Sequence, residues 1–177
     1  MVRMRPDFAG GDFMQADLRG WDFTGVQMQH ANFRGANLCG VSLREVDARG
    51  AIFDLANLAE ADLTGALLQG AHFRQARLWR TDFRQALLLS ARLEGALVHE
   101  ADFSGANLEW AWVAGVDFRQ AVVRCTMLLN ARGLTAEQQR VVEACGGFTG
   151  TRPMILGREL YETSPAESPE IESAARH

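Results

Sequence analysis

Residues 51–68 read AIFDLANLAEADLTGALL, which divides into AIFDL, ANLAE, ADLTG and the start of a fourth unit, ALL. A five-residue period matches neither the 3.6 of a helix nor the 2 of a strand. Outward from this stretch, one register holds from Phe8 to Leu128 as 25 consecutive units with no insertion. The central residue is Phe in nine units, Leu in eleven and Val in three, with Met28 and Ala48 as exceptions. Two residues earlier stands Ala in sixteen units, Val in four and Thr at 81 and 126; Pro6, Gly11 and Trp21 depart from the rule. Asp or Asn lies between these two positions in thirteen units, and Gly follows two residues after the centre in eleven.

In an extended chain, the large centre and the small residue two before it point the same way, so both face inward and the Asp or Asn between them faces out. Glycine two after the centre suits a corner, where φ is positive or backbones crowd. An amphipathic helix cannot carry this pattern, because period five walks around it and leaves no stripe. A hairpin sheet fails too, since a two-residue alternation does not survive an odd repeat. What remains is an all-β solenoid whose short sides stack on equivalent sides one coil away. Phe13, Phe33, Phe53 and Phe73 recur every twenty residues, as do Phe83 and Phe103, which points to four sides per coil and a ladder of rings.

The units ANFRGANLCG, ANLAEADLTG and ADFSGANLEW resemble the pentapeptide-repeat proteins, whose consensus is A(D/N)LXX. The resemblance runs from about Asp7 to Ala131 and implies a right-handed quadrilateral parallel β-helix. The units make about six coils, which at ~4.8 Å per stacked strand is a rod roughly 30 Å long.

A stacked rod needs caps at both ends. Trp21, in a slot that elsewhere holds a small residue, is expected to plug the first coil, with Pro6 blocking edge pairing. Beyond Ala131 the repeat stops. Thr135 reads as a helix N-cap, Gln138 as its capping-box partner, and Gly146–Gly147 as a stop. These signals predict a C-terminal α-helical cap over 136–145, with Val141, Val142 and Cys145 facing the last coil. The expected organisation is a β-helix over 1–132, a capping helix over 133–147 and a tail over 148–177. Within that tail, Arg152–Tyr161 is apolar enough to dock, and the polar, acidic remainder is expected to be disordered.

Sorted by sides, Leu67, Leu87, Leu89, Met127 and Leu129 share one face, with Trp110 at its edge. Bare apolar surfaces of that size are rare, so this face is expected either to form a homodimer seam in the C-terminal half or to be covered by the tail. A second face carries Asp22, Asp62, Asp82 and Asp102 beside Arg44, Arg84 and Arg124. It reads as a solvated ladder of ion pairs and turn-bonding carboxylates, or as an acidic surface for a partner.

No catalytic, cofactor-binding or metal-binding residue emerges. Catalysis needs convergent titratable groups in a concavity, but His30, His72 and His99 fall on different sides or distant coils. Cys39 and His99 share a side three coils apart, about 14 Å at the strand spacing, too far for one metal. Neither GxGxxG nor GxxxxGK[ST] occurs. The three cysteines are sparse and odd in number, there is no apolar h-region and no long apolar run, so the reading is a cytoplasmic protein that is no enzyme and contacts no membrane. All 18 Lys+Arg residues are arginines, scattered over several faces, which argues against direct nucleic-acid binding.

Two functions follow. One is a rigid protein-binding scaffold with an unknown partner. The other is implied by the resemblance, because some pentapeptide-repeat proteins protect DNA gyrase or topoisomerase IV from quinolones as dimeric rods that mimic duplex DNA. DNA carries a charge every ≈1.7 Å, so a mimic needs dense carboxylates. Residues 7–132 contain 15 acidic and 12 basic residues, a modest net charge of −3.

Overall fold

The computed structural model describes residues 7–150. Parallel bridges join each outward residue to the one twenty later, as in Asp12↔Asn32↔Ile52 and Asn37↔Asn57↔Arg77. Such positions recur every five residues, so each coil has four sides and the chain winds as a solenoid. The first to fourth sides begin at Asp7, Asp12, Asp17 and Asp22. Backbone bonds run between coils; the Asn32 amide donates to the Gly11 carbonyl (2.8 Å) and the Phe33 amide to Ile52 (2.7 Å).

The consensus has a local cause at each slot. The turn after each centre closes with a bond such as Ala36 N–H to the Phe33 carbonyl, 2.9 Å. Its second residue takes positive φ, 67° at Gly35, which glycine adopts without strain. The outward Asp or Asn then accepts the amide two residues on, as Asp62 does from Thr64 (2.9 Å) and Asp102 from Ser104 (2.8 Å). A short acidic or amide side chain is therefore favoured beside every turn.

The core runs continuously from Leu18 to Leu128 and includes Val142. Phe13, Phe33, Phe53 and Phe73 stack at 4.9, 5.1 and 5.0 Å between centroids, within 9° of parallel. Phe83 and Phe103 repeat this at 4.9 Å. Between sides the rings meet edge-on, as Phe73 and Phe83 do at 89°. Thr81 and Thr126 occupy inward slots because their hydroxyls donate to the Leu58 and Phe103 carbonyls, both at 2.8 Å.

The ends differ from expectation in detail. Trp21 does not enter the core; it is 51% exposed and stacks on Phe23 at 5.7 Å. Pro6 lies outside the described residues. The repeat is also not unbroken. Phe118–Gln120 forms a 3-10 turn capped by Asp117, and the bridge from Leu97 to residue 117 is missing among the described residues. Helix α1 (Ala136–Ala144) packs on this turn.

Thr135 and Gln138 form the expected capping box, and Gln138 also donates to the Val116 carbonyl. Val142 is buried and Val141 half-buried, but Cys145 is the C-cap and exposed, so it contributes no inward face. Gly133 turns the chain toward α1 at φ +90°, where a Cβ would sit 2.7 Å from Ala114 backbone. After α1 the chain returns to the rod. Phe148 bridges Met127, and its amide donates to Thr126 (2.9 Å). The expected docking of Arg152–Tyr161 and the acidic tail beyond it lie outside the described residues.

Candidate functional site

On the first side, bridges place Leu67, Leu87, Asn107, Met127 and Phe148 in one row. Leu89 and Leu129 lie beside it, and Trp110 stands at the next corner with φ 62°. The expected face is thus brought together, but Asn107 and Glu109, bonded at 2.9 Å, divide it. One cluster holds the half-buried Leu67, Leu87 and Leu89. The other holds Met127, Leu129 and Phe148, which is 56% exposed. Phe148 was illegible in the sequence because it rejoins the register only after α1.

On the fourth side, Asp22 is separated by Ser42 from Asp62, Asp82 and Asp102, which follow one coil apart. Arg44 pairs with Asp62 across coils at 2.9 Å, and Arg84 forks onto Asp82 at 2.6 Å. The amide and hydroxyl of Thr24 lower the pKa of Asp22. Burial raises those of Asp62 and Asp82, but hydrogen bonds from Thr64 and Arg44 and from Arg84 outweigh it, so both end lowered. Asp22, Asp62 and Asp82 are therefore ionised at neutral pH, and arginine neutralises Asp62 and Asp82.

The third side carries a feature that sequence reading missed. Trp79 and Leu97, each 48% exposed, adjoin depressions of about 260 and 170 Å³ that share Trp79 and His99. Beside them Arg80 meets Glu60 (3.8 Å) and Glu100 (2.7 Å), and His99 Nε2 lies 3.2 Å from Glu100. The signal was available, since Leu97 holds a slot that usually carries Asp or Asn. On the second side, a longer chain links Arg34, Asp54, Arg74, Glu94 and Arg92, with Asp54 buried.

Among the described residues, no three His, Cys, Asp or Glu side chains are grouped to hold a metal, and no helix is long and apolar enough to cross a membrane. Cys39, Cys125 and Cys145 are free thiols. The surface therefore offers rows of side chains on a filled rod.

Comparison with solved structures finds matches that include pentapeptide repeat proteins. A pentapeptide repeat protein, Rfr23, from the cyanobacterium Cyanothece 51142 is 25% identical, with a TM-score of 0.45 over 63% of this chain and 86% of that one. A trypsin-treated form of QnrB1, a plasmid-mediated fluoroquinolone resistance protein, is 21% identical, with a TM-score of 0.49 over 82% and 84%. HetL, involved in heterocyst differentiation regulation in Nostoc sp. strain PCC 7120, is 25% identical, with a TM-score of 0.38 over 71% and 62%. No curated protein matches the sequence. The family described as "Pentapeptide repeats (8 copies)" matches residues 22–59, 31–70, 66–105 and 101–132. With the five-residue register, the four-sided coil and that match spanning most of the rod, the chain belongs to the pentapeptide-repeat family.

Proposed function

We propose that this protein is a right-handed, non-enzymatic scaffold that binds a protein partner in the cytoplasm through rows of outward side chains. One observation carries this reading: bulky apolar residues stand in outward positions of a rigid, filled coil, among them Trp79, Leu97, Trp110 and Phe148. Aromatic anchors on a preorganised backbone lose little conformational freedom on docking. The test is capture from the source cell's extract with the full chain as bait, beside Trp79→Ala/Leu97→Glu and Leu87→Glu/Leu89→Glu variants. The reading expects a partner that one row variant loses. A partner retained equally by every row variant, or none retained by the wild type, overturns it.

A second reading is a DNA mimic acting on gyrase or topoisomerase IV, favoured by the consecutive Asp62, Asp82 and Asp102. Their ~4.8 Å spacing approaches the charge density of a duplex only if two chains contribute. In a supercoiling assay with a quinolone, the protein should protect or inhibit the enzyme, and salt should weaken the effect steeply. Asn fills the same slot in native units, so changing the three aspartates to Asn should abolish the effect without unfolding the rod. No effect of the wild type on either enzyme rejects the mimic and leaves the scaffold.

A further inference from the structure

The C-terminal half of the second side holds an aromatic side chain between two guanidinium groups. Bridges stack Arg92 on Trp112 and Trp112 on Arg132. The Cζ of Arg92 lies 5.2 Å from the indole centroid and that of Arg132 lies 4.8 Å from it, one from the preceding coil and one from the following coil. Trp112 remains 37% exposed, and Trp110 stands half exposed around the corner. Arg92 shares Glu94 (3.0 Å) with Arg74 (3.6 Å), whereas Arg132 has no carboxylate partner among the described residues. Arg74 also meets Asp54 (3.6 Å), as does Arg34 (3.8 Å), so Arg34, Arg74, Arg92 and Arg132 face two carboxylates, Asp54 and Glu94, and leave a positive surplus on this side.

Stacking on an indole orients a guanidinium while sparing its N–H donors for hydrogen bonds in the ring plane. Two such forks about 9.6 Å apart, two coils along the rod, match carboxylates carried on a peptide. The aliphatic stem of a glutamate would lie on Trp110, half exposed at the corner. A nucleic-acid backbone fits less well, because few phosphates would be neutralised here and Glu94 and Glu109 border the patch. We propose that Arg92, Trp110, Trp112 and Arg132 dock an acidic segment of a partner protein. This deepens the scaffold reading by naming the chemistry of one partner surface.

The probe is a short labelled peptide of alternating glutamate and leucine, titrated into the full chain and followed by anisotropy and tryptophan emission. Saturable binding is expected, with affinity falling steeply from about 50 to about 300 mM salt. Arg132→Ala and Trp112→Ala should each weaken it about fivefold or more. Arg44→Ala, on the fourth side, should leave it unchanged. Circular dichroism checks each fold, and Arg132→Gln serves if the alanine variant unfolds. Absence of saturable binding, equal binding of a lysine–leucine peptide, or tighter binding of a single-stranded oligonucleotide overturns the proposal. So does binding that appears only when the chain is ended at Gly150, which would make the glutamate-containing residues 151–177 the occupant. Because the peptide is supplied, an empty extract capture leaves this result standing. Failure here leaves the other rows available to a partner.

Discussion

Phe53 has Phe33 and Phe73 stacked on its two faces, at 5.1 and 5.0 Å, and is fully buried. A carboxylate at this position would have neither a counter-charge nor water. Phe53→Asp is therefore expected to abolish the β-rich circular dichroism spectrum, and a variant that melts like wild type would refute the inward assignment. Phe53→Leu keeps an apolar side chain already used at eleven centres, so its cost should be about 1 kcal/mol by chemical denaturation. Inward and outward positions were legible because a five-residue register fixes which side chains share a direction. The bond from Thr81 to Leu58 was not, since it depends on a residue 23 positions away. Trp21 was misjudged for a related reason. At the end of a rod an inward slot opens on solvent, and the indole stacks on Phe23 instead of filling the coil.

At the scale of elements, α1 depends on its first turn. The Thr135 hydroxyl accepts the Gln138 amide at 3.2 Å, and the Gln138 side chain accepts the Thr135 amide at 2.8 Å. Thr135→Ala should cost about 1 kcal/mol. The loss should appear first as faster hydrogen exchange in residues 136–144, with the coils around Phe53 unchanged. Uniform acceleration along the whole rod would mean that α1 and the solenoid unfold as one unit. The start of this helix was legible from Thr135 and Gln138, but its end was read one residue too far because Cys145 looks like a continuation of the apolar face. The 3-10 turn at Phe118–Gln120 left no mark in the register, since Val116, Asp117 and Phe118 fit the repeat. Its distinguishing neighbour is α1, which packs there and bonds Val116 through Gln138. Only the folded chain brings those segments together.

At the scale of the whole molecule, ion pairs spread over the sides set the response to acid. Hydrogen bonds from Arg19 and Arg119 lower Asp17 and Asp117 from the ordinary 3.8 to about 2. Asp47, Asp62 and Asp82 are lowered as well. A carboxyl with a depressed folded pKa stabilises the fold above its unfolded value, and this contribution is lost as pH falls through the folded value. The melting temperature should therefore change little from about pH 7 to 5 and decline from about pH 4 toward 2. A decline complete by about pH 5 would point to other groups. The solenoid and its four sides were legible along the whole repeat, whereas the division of the first side was not, because each leucine was counted without the Asn107 and Glu109 between the clusters. That division bears on assembly. We infer a homodimer through the C-terminal half in which Leu87 and Leu89 meet one part of the partner copy, and Trp110, Met127 and Leu129 another. Both clusters must be covered together for the interface to bury enough surface for a stable pair. Leu87→Glu with Leu89→Glu should then convert dimer to monomer in analytical ultracentrifugation, because two carboxylates would be buried in an apolar seam. The circular dichroism spectrum should stay β-rich, since these leucines are only half-buried and point away from the core. A wild-type protein that sediments as a monomer at high micromolar concentration rejects this assembly and leaves the first side to another occupant.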